Sequence, residues 1–225
     1  MGSRLDNNAD PTREQFLEAI GGADRALSHR ILRGSVESGV QPEWLLLNVI
    51  QPALNELGRR WSEGGATLSQ IYVAGKIADD ACNFILPLLP TSASGDLTVV
   101  IGTISGDFHG LGRKLVAAFL RAAGVRVVDL GLGVEPTRFV ESAAQEGAQI
   151  IAISALMMHT AAQIAQVRPL LIDRGLNHVG ILVGGAPFNY DPDLVRRVGA
   201  DGTAPNAGLA ARATRDLALK RGQVR

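Results

Sequence analysis

The chain has 225 residues, 46% hydrophobic and 20% charged, with a formal net charge of zero. This is ordinary globular composition, enough for one large domain or two small ones, and balanced charge without a basic, aromatic-rich cluster excludes nucleic acid as an expected partner. The lone Cys82 excludes an internal disulfide and suits a reducing cytoplasm, while no apolar run approaches the roughly 20 residues of a membrane helix.

Residues 1–11 read as a disordered polar lead with no secretory core. From Thr12, a candidate N-cap, apolar residues recur at helical spacing through Phe16, Leu17, Ile20, Ala23, Leu27, Ile31 and Leu32. Gly21-Gly22 interrupts them, so two helices are expected before Gly39. Pro42 opens a third helix to about Ser62, and Pro52 inside it should kink it. A fourth runs from about Thr67 to Leu89, making residues 12–89 a small helical bundle. The composition of residues 90–96 is that of a linker, and a hinge is expected there.

From Leu97 the texture changes. Strands are predicted near 97–104, 125–130, 149–154, 179–184 and, weakly, 200–204, with helices near 111–123, 136–146, 160–174, 191–198 and 206–220. Five successive βα units imply an α/β domain over 97–221, a flavodoxin-like parallel sheet of strand order 2-1-3-4-5 with helices on both faces. Ligands in such sheets lie at the carboxyl ends of the strands.

Three motifs fall at those ends. Asp107-Phe108-His109-Gly110-Leu111-Gly112 follows the first strand. Asp107 is placed to hold the imidazole Nδ1–H and leave Nε2 as a metal ligand, and the glycines are expected to let a flat ligand approach the backbone. Ser154-Ala155-Leu156 closes the third strand and Gly184-Gly185 the fourth. His159 at a helix start, His29 and His178 read as solvated surface residues, and Cys82 as a small buried hydrophobe.

Asp-x-His-x-x-Gly, Ser-x-Leu and Gly-Gly at these spacings resemble the cobalamin-binding domain shared by methionine synthase, corrinoid methyltransferases and B12-dependent mutases. With a helical bundle in front, the chain is similar to the small corrinoid proteins of methyltransferase systems. The resemblance implies a carrier of a cobalamin or related corrinoid, with the catalytic barrel-type methyltransferases that load and unload its methyl group on separate chains. His109 would then be the lower axial cobalt ligand, in place of the cofactor's own base. Asp107 and Thr160, six residues after Ser154, would complete a proton relay with it. Ser154, Leu156, Gly184 and Gly185 would line the slot for the nucleotide tail, and Phe108, Gly110, Leu111 and Gly112 would contact the ring. Trp61, Leu68, Ile71 and Tyr72 would face its upper side, although bundle packing explains the same spacing. Gly110 departs from the family, where many members have Asp, and so does His159.

Other classes fit less well. Gly106 and Gly112 are one residue too far apart for a phosphate-binding P-loop, and Gly131-Leu132-Gly133 lacks the third glycine of a dinucleotide fingerprint. The alternative that shares the fold is a cobalamin-dependent sensor or photoreceptor, but Ile71-Tyr72 stands where the light-sensing family has Glu-His. Mutase subunits lack such a bundle.

Overall fold

A computed structural model describes residues 11–63, 65, 67–89 and 96–222. The 90–95 part of the expected linker and hinge lies outside the described residues, as do the side chains of Trp61, Leu68 and Ile71. The chain forms two compact units, Met1–Leu89 and Pro90–Arg225.

The first unit is helical: α1 (Pro11–Gly21), α2 (Arg25–Glu37), α3 (Pro42–Leu45), α4 (Gln51–Ser62) and α5 (Leu68–Ile85). Thr12 lies within α1 instead of capping it, and Pro11 takes the first helical position. The capping residue in this region is Asp24, whose carboxylate accepts the Leu27 N–H at 2.8 Å. Thr67 and Gln70 form a capping box at the start of α5. Phe16, Ile20, Leu32, Leu45, Leu46, Ile50, Ile77 and Ile85 fill the interior together with Cys82, which is buried as expected.

No sharp break occurs at Pro52. A π-helical turn, Leu46–Ile50, joins α3 to α4, and the Gln51 N–H reaches back five residues to the Leu46 carbonyl. Proline has no N–H to donate, and its ring crowds the carbonyl four residues earlier, here that of Asn48. Widening the preceding turn accommodates both effects.

In the second unit, β1 (Thr98–Thr103), β2 (Arg126–Asp129), β3 (Ile150–Ser154), β4 (Gly180–Gly184) and β5 (Gly202–Thr203) form one parallel sheet ordered β2-β1-β3-β4-β5. This is the expected order. Val99, Ile101, Ile150, Ala152 and Leu182 point to one face, against α6 (Leu111–Ala122) and α12 (Ala207–Lys220). Val100, Ile151, Ile153, Ile181 and Val183 point to the other, against α7 (Pro136–Glu146) and α9 (Val167–Asp173). Burial on both faces is why β1, β3 and β4 read as continuous apolar runs.

Two helices differ from expectation. The one predicted over 160–174 is broken into α8 (Met158–Ala162), a 3₁₀ turn over Gln163–Gln166, and α9. Pro169 explains the break: in the first turn of α9 its missing N–H costs nothing, whereas in an uninterrupted helix it would remove a bond. The one predicted over 191–198 is shorter, α11 (Leu194–Arg197), and a further short helix that was not predicted, α10 (Ala186–Tyr190), precedes it.

At the amino ends of β4 and β5, Asp201 accepts the Ile181 N–H at 2.7 Å and pairs with Arg168 and Arg221. Those arginines also donate to the carbonyls of Val179, Gly199, Asn177 and His178. This strap leaves the opposite end of the sheet to the loops that carry the motifs.

Candidate functional site

Asp107 is the centre of that end. It lies in the loop between β1 and α6 and is 1% exposed. One carboxylate oxygen accepts the His109 backbone N–H and faces the His109 Nδ1, both at 3.0 Å. The other accepts the Leu156 N–H at 2.7 Å, the Met157 N–H at 3.4 Å and the Thr160 hydroxyl at 2.9 Å. A carboxylate with this many donors is stabilised as the anion. Burial alone would raise its pKa, but the N–H groups of Leu156 and His109, the His109 ring and the Thr160 hydroxyl outweigh it and hold the carboxyl below its ordinary value.

The network therefore brings together His109, Asp107, Thr160 and the backbone at Leu156. Because Asp107 is an acceptor, it selects the tautomer with the proton on Nδ1. Nε2 is left without a partner among the described residues, on a side chain that is 56% exposed. Thr160 has one hydroxyl proton and two acceptors within reach, Asp107 and the Met157 carbonyl at 2.8 Å.

The loop is held from beneath by Thr103, which is fully buried. Its hydroxyl donates to the Asp107 carbonyl at 2.5 Å and accepts the Gly133 N–H at 2.8 Å. The Gly133 N–H also lies 3.1 Å from the Asp107 carbonyl. Arg113, on the first turn of α6, forms a largely buried ion pair with Asp129 at the end of β2. Sequence reasoning missed Thr103, Gly133, Leu132, Arg113 and Asp129. The signal available was position: Gly131-Leu132-Gly133 follows β2 at the same end of the sheet as the three motifs.

The remaining predicted residues divide by environment. Phe108 is 71% exposed and Leu156 46% exposed, beside the imidazole and the network respectively. Gly110 precedes α6, and Leu111 and Gly112 begin it. The expected open approach at Gly110 is not found. A β-carbon there would sit 2.9 Å from the Leu132 side chain, which already covers the backbone. Gly112 faces Ser154, whose hydroxyl would be 3.7 Å from an added β-carbon.

Ser154 and Gly184 are paired in register and, by strand alternation from Ala152 and Leu182, lie on the face covered by α6 and α12. An added β-carbon at Gly184 meets nothing nearer than the Ala204 carbonyl at 3.9 Å. Gly185 is different. Its φ of 120° and ψ of 174° are a glycine conformation, and an added β-carbon would lie 1.9 Å from the Ala155 carbonyl oxygen. His159, His29 and His178 are exposed, with the His29 ring against Phe84. Tyr72 is 66% exposed.

No cluster of three or more His, Cys, Asp or Glu side chains able to hold a metal ion occurs among the described residues. One exposed, oriented imidazole fits a metal that brings its other donors with it, as in a macrocycle, and fits a bare ion poorly. Small residues where β3 and β4 end suit a slender appendage of such a ligand.

Comparison with known proteins agrees. A family model described as a B12 binding domain matches residues 97–212, and a second model with the same description matches residues 12–85. Trimethylamine corrinoid protein 1 of Methanosarcina acetivorans is 34% identical over 82% of this chain and 86% of its own. The dimethylamine corrinoid protein of Methanosarcina barkeri is 30% identical over 92% and 99%. Among solved structures, the Methanosarcina barkeri monomethylamine corrinoid protein superposes with a TM-score of 0.83 at 25% identity, covering 92% of this chain and 98% of that one. The methanol:cobalamin methyltransferase complex MtaBC shares the fold, with a TM-score of 0.51 at 23% identity over 93% and 80%.

Proposed function

This chain belongs to the B12-binding corrinoid proteins of methyltransferase systems, and on that premise we propose that His109 ligates the cobalt of a base-off cobalamin while the chain carries a methyl group between partner methyltransferases of barrel type. The observation that supports this most is the Asp107 network, which fixes the His109 tautomer and leaves Nε2 free at the carboxyl end of β1. No described helix is long and apolar enough to cross a membrane, consistent with a carrier that meets separate partner proteins.

The bound corrinoid supplies the carbon-transfer chemistry through its cobalt. His109 contributes an imidazole whose Nδ1 is held by Asp107 at 3.0 Å, which fixes the ring and turns Nε2 outward. The Asp107 carboxylate 3.0 Å from Nδ1 keeps the ring oriented whether or not Nε2 is engaged. Thr160 adjusts to either state, because its hydroxyl turns between Asp107 and the Met157 carbonyl. Ser154, Gly184 and Gly185 would hold the displaced nucleotide tail, and Leu156, Phe108 and the Gly110-Leu111-Gly112 turn would border the ring.

The test is reconstitution with hydroxocobalamin, followed by the visible spectrum after removal of free cofactor. Wild-type protein should retain the cofactor with a spectrum shifted from that of the free form, whereas His109→Ala should retain it weakly or with a base-on or water-ligated spectrum. A colourless wild-type protein, or an unchanged spectrum in His109→Ala, would reject histidine ligation.

A further inference from the structure

The loops after β1 and β2 exchange side chains across two glycines. A β-carbon built at Gly110 would lie 2.9 Å from Leu132 Cδ2, and one built at Gly133 would lie 2.9 Å from Phe108 Cε1 and 3.3 Å from Cζ. Residues 108 and 110 flank His109, and residues 132 and 133 are adjacent, so each loop lends an apolar side chain that rests on the other's bare backbone. Gly133 also has a backbone that favours glycine, with φ at +62°.

The backbones beneath these contacts are joined. The Gly133 N–H points to the Asp107 carbonyl and the Thr103 hydroxyl, and the Val134 N–H donates to the Thr103 carbonyl at 2.8 Å. Phe108 and Leu132 nevertheless remain 71% and 45% exposed. Two large apolar side chains, each resting on a glycine of the other loop yet open to solvent, and one of them on the glycine next to His109, lack only a nonpolar surface to cover them.

We propose that Leu132, which lies outside the three strand-end motifs, is a cofactor-contacting residue, and that with Phe108 it forms an apolar seat for the hydrocarbon edge of the macrocycle ligated by His109. This rests on the corrinoid reading above. Gly110 is the condition for the seat, because any larger residue displaces Leu132.

Equilibrium binding of hydroxocobalamin, read by absorbance, tests the proposal, with thermal melting of each apoprotein as a check on folding. Leu132→Ala should weaken binding about tenfold, the order expected for losing most of a leucine contact, and leave the melting temperature close to wild type. Gly110→Ala should weaken binding when Leu132 is present and have little further effect in a Leu132→Ala background. The coupling between the two positions is thus the signature of the seat.

Wild-type affinity in Leu132→Ala, or strictly additive losses in the double variant, would overturn the proposal while leaving the corrinoid reading intact. Failure of the wild-type protein to bind cobalamin would instead remove the reading on which it rests. A Leu132→Ala variant that melts far below wild type would show Leu132 to be a packing residue. Leu132→Met, which keeps the apolar volume, should bind like wild type, and a loss there as large as for alanine would also count against an apolar contact.

Discussion

Gly184 and Gly185 are neighbours with the same side chain, yet the structure gives them opposite requirements, and replacing each by alanine separates folding from binding. At Gly185 the backbone occupies a region open essentially only to glycine, which costs another residue about 1–3 kcal/mol. The added methyl would also lie 1.9 Å from the Ala155 carbonyl oxygen, backbone that cannot swing aside. A forced shift in packed structure adds a comparable amount, so Gly185→Ala should destabilise the sheet unit by about 4 kcal/mol. At about 3 °C per kcal/mol for a domain of this size, its melting temperature should fall by about 12 °C. Gly184→Ala has 3.9 Å of clearance and ordinary strand geometry. Its fold should be unchanged or gain about 0.5 kcal/mol, because alanine restricts the unfolded chain. The new methyl would project toward α6 and α12, where the nucleotide tail is proposed to lie, so hydroxocobalamin affinity should fall about tenfold, equivalent to about 1.4 kcal/mol of overpacking. Circular dichroism melts and cobalamin titration of the two variants decide the matter. Equal melting temperatures would refute the backbone argument, and wild-type affinity in Gly184→Ala would refute the tail slot.

Asp107→Asn should present an NH₂ to donors that now meet carboxylate oxygens, costing about 2–3 kcal/mol in urea unfolding at neutral pH. The Asp107 carboxyl titrates below its ordinary value, so its contribution is complete above the unfolded-state pKa of about 3.9 and is lost as the pH falls through the lower folded value; the gap between wild type and Asp107→Asn should close over that interval, and a constant gap would contradict the linkage. Asp201→Ala should destabilise the sheet unit by about 2–4 kcal/mol, since it strands the Ile181 N–H and two arginines, without altering cobalamin affinity, because the strap lies at the opposite end of the sheet. Glu56, bonded to Arg59 and Arg60, has its pKa lowered to about 2, so its carboxyl resonance should show no titration between pH 6 and pH 3.5, whereas a midpoint near 4 would mean that the pairs do not form in solution.

The parallel strands were legible because β1, β3 and β4 are buried on both faces, which leaves unbroken runs such as Val99-Val100-Ile101 and Ile150-Ile151-Ala152-Ile153, and their order followed from the succession of βα units. The motif residues could be read because their spacing places them all at carboxyl ends of strands. Less visible were features set by a single missing donor or by contacts distant in sequence. Pro169 inside a helical pattern gave little sign that α8 and α9 would separate, and Pro52 marked a perturbed helix without showing that the preceding turn would widen. The contacts of Leu132 with Gly110 and of Phe108 with Gly133 join loops more than twenty residues apart. No local period records them. Gly110 stands out in the motif, but only the folded chain shows that the Leu132 side chain covers it.

The widened turn at Leu46–Ile50 has a consequence for the helix on either side. A π turn accommodates one more residue than the α-helical turn it replaces, and each residue advances the helix by about 100°. Removing a single amino acid between Leu46 and Ile50 would regularise the hydrogen bonding yet rotate Ala53 and Leu57 away from the interior, while Leu45 stays in place. The irregular turn is therefore a phase correction that aligns two apolar stripes otherwise out of step, and variation in length at this point should be harder to accommodate than variation in side chain.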